Sequence, residues 1–348
     1  MVKLGLSIGF SAAKIDMPMD AVLRAEAVGF DSVWTFETYG SDALTPLAYV
    51  GALTKKLRLG TAIAQAAART PANLAMAAQT IDAMCGRGRM MVGLGVSGPQ
   101  IVEGWYGQPW GKPNTRLRDY TAIMKKIWRR EGPVSHDGKE IALPYTGPGS
   151  IGLGKPLKSV LHGNPDIPVY LGTGTTTNIR MTAEIADGWL AGTKWVPGRE
   201  TEFIPIIEEG LAKRTDGKVL KDFEIIAQIP VYMSTDVKAS LAALKPNIAL
   251  YVGGMGAKEM NFHKDNMVNR GFKAEAEKIQ ELYLAGRKDE ANDVVPDDYV
   301  DAGCLVGDAQ RIKERWKPWA TSGITGAVFA GPNRPTVEMV DALAQAAR

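Results

Sequence analysis

Short, almost wholly apolar runs alternate with amphipathic stretches through the first hundred residues, and this rhythm limits the fold more than any single residue does. "KLGLSIGF" (Lys3 to Phe10), "DSVWTF", "LRLGTAIAQ" and "RMMVGLGV" read as four strands. Strands apolar along their whole length are the kind buried on both faces of a parallel sheet. Between them, "PMDAVLRAEAVGF" sets Val22, Ala25 and Val28 on one helical face, with Gly29 where a C-terminal cap belongs. "LTPLAYVGALTKK" places Thr45 and Pro46 as cap and first helical residue. "RTPANLAMAAQTIDAMCG" repeats the device at Thr70 and Pro71, ahead of a stripe of Leu74, Ala78, Ile81 and Cys85. Parallel strands require crossovers of this type. Four such units leave a doubly wound open sheet or a closed barrel. "IPVYLG" (Ile167 to Gly172), "GWLAG" (Gly188 to Gly192), "FEIIAQIPVYM" (Phe223 to Met233) and "TGAVFAG" (Thr325 to Gly331) bring the strands to eight, which favours a (β/α)8 TIM barrel.

The 348 residues fit a single barrel domain over 1–348, with insertions at about 105–164 and 237–303. The first insertion holds a helix, "RLRDYTAIMKKIWRR", a hairpin around Asp137-Gly138 and a Gly/Pro-rich stretch; the second holds helices beyond a minimal barrel. Lysines and arginines are scattered and the net charge is only +3, so nucleic acid is not an expected partner. Cys85 and Cys304 have no partner motif, and His136, His162 and His263 lie far apart, so neither a disulfide scaffold nor a metal site is expected. No run reaches the roughly 18 apolar residues of a membrane span. "MVKLGLSIGF" lacks the apolar core of a secretory signal. The expectation is a soluble protein of a reducing cytoplasm, with no membrane partner.

Barrel active sites form at the carboxyl ends of the strands. Here those ends carry Gly9-Phe10, Glu37-Thr38, Ala62 to Gln65, Val96 to Gln100, Gly172 to Asn178 and Thr193-Lys194. Backbone, hydroxyls and amides dominate, with Glu37 as the one carboxylate. Without a nucleophile–base pair or matched carboxylates, the reaction falls to a cofactor. "LGTGTTTN" (Leu171 to Asn178) offers close backbone approach at Gly172 and Gly174 before a helix carrying Ile179, Ala183 and Ala186 on one face. That is either a phosphate site at a helix start or a plain capped terminus. Glu37 is a catalytic acid, a hydrogen-bonding anchor, or the partner of a nearby arginine such as Arg69. His263 either lines a pocket or is a satisfied surface histidine.

With the strand ends placed, the chain resembles the luciferase-like monooxygenase superfamily, and within it the actinobacterial oxidoreductases that use the deazaflavin coenzyme F420. The likeness lies in "VWTFETYGSDALTPLA", "RLGTAIAQAAARTPANLAMAAQTID", "GLGVSGPQIVEGWYGQPWGKP", "DIPVYLGTG" with "AEIADGW", and "ALYVGGMGAKEMNFH". The resemblance implies a deazaflavin ring in the barrel mouth, backed by a bulge with a non-prolyl cis peptide at Ala62-Ile63 and bordered by Gln65. Gly95 and Val96 would lie beside it, with Ser97, Gly98, Pro99 and Gln100 on the ring's polar edge or ribityl chain. Its phosphate would sit on Gly172, Thr173, Gly174, Thr175 and Asn178. Phe10, Trp105, Tyr106, Thr193 and His263 are the candidates for the substrate pocket, with Glu37 and Gln100 as catalytic candidates.

Two departures bear on the chemistry. Where the sugar-phosphate dehydrogenases of this group carry Asp-His after the second strand, this chain has Glu37-Thr38. Where they carry a glutamate after the fourth, it has Gln100, and an amide cannot act as a general acid. The resemblance therefore implies hydride transfer between the deazaflavin and a small organic molecule, chiefly reduction of an activated alkene, quinone or nitroaromatic acceptor. The alternatives are an F420-dependent alcohol or sugar-phosphate dehydrogenase, an FMN-dependent monooxygenase, and a carrier that merely binds the deazaflavin. A homodimer is the assembly that the likeness implies.

Overall fold

The computed structural model describes residues 1–9, 13–255, 261–331 and 334–348. Phe10 and the "GAKEM" part of the last motif lie outside them. Eight parallel strands close into a barrel: β1 (Lys3–Ser7), β2 (Ser32–Thr35), β3 (Arg58–Thr61), β4 (Met90–Gly95), β5 (Val169–Leu171), β6 (Gly188–Gly192), β7 (Glu224–Met233) and β8 (Gly326–Ala330). β1 to β7 each pair with the next strand, except that β7 pairs with both β6 and β8, and β8 returns to β1. All eight coincide with the apolar runs read from the sequence.

Eight helices surround them, one per strand: α1 (Met19–Val28), α2 (Thr45–Leu53), α3 (Pro71–Cys85), α4 (Pro113–Arg129), α5 (Thr176–Ile185), α6 (Glu200–Leu211), α7 (Ala309–Thr321) and α8 (Val337–Ala346). The Gly29 cap is left-handed, with its amide on Ala25 O and Glu26 O. Thr70 caps α3 by accepting from the Asn73 amide. At α2 the expected Thr45 cap is not used. Asp42 Oδ1 takes the amides of Leu44 and Thr45 instead, because a carboxylate three residues upstream reaches both.

α4 is the helix read as part of the first insertion. It occupies the fourth place in the outer ring, where the Trp128 indole donates to Ala75 O of α3 at 2.9 Å and Tyr120 Oη donates to Arg69 O. The additional chain of that unit thus lies before and after it. After it comes the hairpin, His136–Asp137 paired with Ala142–Leu143.

Side chains point alternately in and out along a strand, and the inward set fills the barrel axis. Trp34, Met91, Tyr170, Leu190, Ile226 and Val328 form this inner layer, all buried. The second large excursion runs from β7 to α7. It comprises helices Val237–Ala249, Phe262–Asn269, Lys273–Leu284, Lys288–Val294 and Asp297–Ala302, which share a core of their own around Val252, Met267, Ile279 and Val300. A short strand, Leu305–Gly307, ends it by pairing with the last residues of β7. Among the described residues no helix is long and apolar enough to cross a membrane.

Candidate active site

The mouth of the barrel is shaped by an irregularity at the end of β3. Its register with β4 runs Leu59 to Met90 and Gly60 to Met91, then resumes as Ala64 to Leu94 and Gln65 to Gly95. One extra residue therefore sits on the β3 side, which is a β-bulge. Thr61 repairs the interrupted ladder: its Oγ1 donates to Gly93 O at 2.7 Å and accepts from the Gly93 amide at 2.9 Å. A side chain at position 93 would have no room, since its Cβ would fall 1.9 Å from Thr61 O. The Ala62-Ile63 peptide is cis, at the bond the resemblance pointed to. Ala62 and Ile63 are half-buried and pack on the inner layer, so they cap the barrel core with an apolar shelf that faces the mouth.

Glu37 follows β2 and is 5% exposed. Its two oxygens receive Arg69 Nη1 at 2.7 and 2.8 Å, and Oε2 also accepts from the Gln65 amide at 2.9 Å. Gln65 Nε2 returns a bond to Glu37 O at 2.8 Å, while Gln65 Oε1 is buried with no hydrogen-bond partner among the described residues. Of the three sequence readings of Glu37, the ion pair and the anchor are the ones this geometry builds. The group ties the loop after β2 to the segment after the bulge. Trp105 and Tyr106 gather on this side too, the Tyr106 hydroxyl donating to Thr38 O at 3.2 Å. Burial, then the Glu37 charge, push the Tyr106 phenol above its usual pKa.

After β4 the chain turns through Ser97, whose φ of 61° is left-handed. Gly98 then caps a four-residue helix beginning at Pro99. Gln100 is exposed, and its Oε1 folds back toward Gly98. After β5, Thr175 caps α5 by accepting from the Asn178 amide at 3.3 Å, and Asn178 Oδ1 accepts from Asn114. The Thr173 hydroxyl turns inward to Thr182. These hydroxyls and amides thus serve the local structure. The first backbone amides of α5, at Thr176 and Thr177, have no acceptor within the helix. Thr176 borders a cavity of about 200 Å³ that Lys194 and Arg199 also line, together with the carboxylates of Glu202 and Asp265. Arg199 is committed to Glu202, Asn266 and Lys194 O. The Lys194 ammonium has no hydrogen-bond or ion-pair partner among the described residues, and its stem passes so close to Gly174 that a Cβ there would lie 2.5 Å from Lys194 Cε. Burial, then the Arg199 charge, lower the Lys194 pKa. Lys194 stands two residues after the end of β6 and was named in the sequence only as a strand end.

A second cavity, about 440 Å³, opens above β6 and β7 under the β7–α7 helices. It joins Thr193 and His263, two of the substrate-pocket candidates, to Gln228, Tyr232, Asn266 and Arg270. Trp105 and Tyr106 do not line it. His263 packs edge-on against Tyr251 at 4.7 Å, and partial desolvation, with the Lys194 charge behind it, lowers its pKa. Gln228, Pro230 and Tyr232 reach this cavity because they continue the inward face of β7 above Ile226. A polar residue within "AQIPVY" was the sequence signal for them. Among the described residues no cluster of three His, Cys, Asp or Glu side chains could hold a metal ion.

A family model described as luciferase-like monooxygenase matches residues 8–326. The chain belongs to this family. A Mycobacterium tuberculosis relative named "Putative coenzyme F420-dependent oxidoreductase Rv3520c" is 42% identical over 344 residues, 98% of this chain and 99% of the relative. The 5,10-methylenetetrahydromethanopterin reductase of Methanopyrus kandleri is 25% identical, covering 90% of this chain and 88% of its own. Among solved structures, the coenzyme F420-dependent tetrahydromethanopterin reductase of M. kandleri superposes with a TM-score of 0.76 at 23% identity, covering 99% of this chain and 97% of that one. An F420-dependent secondary alcohol dehydrogenase, in complex with an F420–acetone adduct, gives 0.73 at 19% identity over 100% and 99% of the two chains. Both structures share the family's barrel.

Proposed function

We propose that this chain is a coenzyme F420-dependent oxidoreductase, transferring a hydride between the deazaflavin and a small organic acceptor such as an activated alkene, a quinone or a nitroaromatic compound. The observation that carries this reading is the apolar shelf of Ala62 and Ile63 facing the barrel mouth. The full-length likeness to the mycobacterial relative supports the choice of cofactor.

The residues fit that group. Ala62 and Ile63 offer a flat apolar backing, and the orphaned Gln65 Oε1 is a spare acceptor beside it. Gly95 to Pro99 border the shelf with backbone. Gly172 to Asn178 present the start of α5, where free amides and the helix dipole favour a phosphate, and the unpaired Lys194 adds a cation. Bound there, the reduced deazaflavin supplies a hydride equivalent and reacts poorly with oxygen.

The chain's own work is orientation and proton handling. In this reading the shelf would back the ring and the cavity above β6 and β7 would receive the acceptor. His263, whose pKa burial and then the Lys194 charge lower, lines that cavity and in this reading would relay a proton between solvent and substrate. Glu37 positions the bulge through Gln65. Gln100, exposed beside Gly98, would in this reading touch the cofactor's polar edge, and its amide cannot donate a proton as a general acid. The same reading puts the protein in the cytoplasm as a homodimer. Exposed Ile151, Leu153, Leu157 and Val160 are the apolar run that supports such an interface, and sedimentation equilibrium tests it.

The decisive experiment is a fluorescence titration of the purified protein with F420 and with FMN. The expected result is tight binding of F420 and weak binding of FMN. Preference for FMN, with oxygen consumed when it is reduced, would replace this reading by a flavin monooxygenase.

A further inference from the structure

The cavity above β6 and β7 carries an asymmetry of charge. Among the described residues lining it none is Asp or Glu, while Arg270 and His263 both reach it. Arg270 is partly buried and its guanidinium lies over the Tyr299 ring at 3.8 Å. Its Nη2 donates to Tyr299 O at 2.8 Å, the one side-chain bond the guanidinium makes among the described residues, although the group has five N–H donors. Nη1 turns toward Gly303, another residue of the cavity wall. The neighbouring carboxylate, Asp301, is already held by Arg311 at 2.9 Å and Arg315 at 3.4 Å. Burial, and after it the charge of Arg199, act against the Arg270 cation.

A desolvated guanidinium with spare donors and no protein anion is costly unless something else supplies the charge. The rest of the wall limits what that can be. Leu244, Ile248 and Val252 make an apolar side, and Tyr232 and Tyr251 add aromatic surface. We propose that Arg270 is the specificity-determining residue of this cavity and that the acceptor is a carboxylic acid, its carboxylate paired with the guanidinium and its body against the apolar side. This rests on reading the cavity as the acceptor side of an F420-dependent enzyme. A carboxylate could also come from the cofactor's own glutamyl tail; the substrate is the source assigned, because Gln228 and Pro230 place the cavity on the barrel axis while the α5 terminus lies in the other cavity.

The test compares benzoate with its neutral isostere benzamide by calorimetry on the cofactor-free protein. Benzoate should bind at least about tenfold more tightly, since charge-assisted pairing is the strong form of the hydrogen bond. Arg270→Met should erase that difference, and Arg270→Lys should keep part of it. With F420 loaded, an enone bearing a carboxylate should show its KM raised about tenfold by Arg270→Met at unchanged kcat, and its methyl ester should not. Equal binding of benzoate and benzamide to the wild type overturns the proposal, even if no variant folds. So does a loss in Arg270→Met of affinity for F420 but not for the tail-free deazaflavin, which would give the arginine to the cofactor. Failure of the parent reading looks different: the wild type would not bind F420, and the benzoate comparison would still be read.

Discussion

Arg69 Nη1 sits 2.7 Å from one carboxylate oxygen of Glu37 and 2.8 Å from the other, and the glutamate side chain is only 4% exposed. A carboxylate held this way is a brace between two loops of the barrel mouth. Glu37→Gln keeps the shape and leaves Arg69 only the more distant carboxylate of Asp42, at 3.6 Å, as counter-charge. The expected cost is about 3 kcal/mol, read as a lower denaturant midpoint at constant m-value. The form of the kcat–pH profile should not change. Loss of one of its limbs would instead make Glu37 the proton carrier.

The Thr61 hydroxyl serves both the amide and the carbonyl of Gly93. Thr61→Val is close to isosteric and strands both groups, so about 2–4 kcal/mol of stability should be lost. The shelf should loosen with it, weakening F420 binding. A melting temperature within about 1 °C of the wild type would show that the bulge is held by other contacts.

Lys194 is the spare cation at the start of α5. Lys194→Met should weaken F420 about tenfold and leave the phosphate-free ring-and-ribityl fragment unaffected. Added salt should reduce the wild-type affinity toward that of the variant. Equal losses for both ligands would move the phosphate elsewhere.

Asp119 of α4 holds the hairpin. It accepts the amides of Glu140 at 2.8 Å and Ile141 at 3.0 Å, and lies 3.1 Å from His136 Nε2. Burial opposes its charge, but the Glu140 amide, His136 and the Ile141 amide outweigh it, so its pKa is below the ordinary carboxylate value. A folded-state pKa below the unfolded one stabilises fully above about pH 4, and that contribution is lost as the pH falls through the folded value. Denaturation across pH 2 to 6 should show this decline in the wild type. Asp119→Asn should be less stable at pH 6, and the gap should narrow on the acid side.

What was legible in the sequence follows from how each feature is encoded. Barrel strands buried on both faces are written as local apolar runs, so all eight could be found without any knowledge of their partners. The amphipathic period of α4 was equally visible, but its place in the ring was not. Seventeen residues, 96–112, separate it from β4, and nothing local says that a helix so far along still packs on α3. The site divides in the same way. The shelf and the α5 terminus are runs of adjacent residues and came with the family likeness. Arg270 and Lys194 meet their cavities through distant chain segments, and no spacing rule links them. Glu37 stood out as the one acid at a strand end, yet its task depends on Arg69, thirty-two positions away.

The closing strand Leu305–Gly307 lies beside the end of β7, and the Ser234 amide donates to Gly307 O at 3.0 Å. The excursion of residues 234–304 therefore leaves and rejoins the barrel at one place. Lengthening, shortening or replacing it need not stretch a single barrel strand. The Ala62–Ile63 shelf and the start of α5 belong to the barrel, while much of the wall of the cavity above β6 and β7, and the Asp265, Asn266 and Asn269 side of the cavity beside α5, belong to this cap. Selection for a new acceptor can rewrite that cap and leave the inherited redox partner in place.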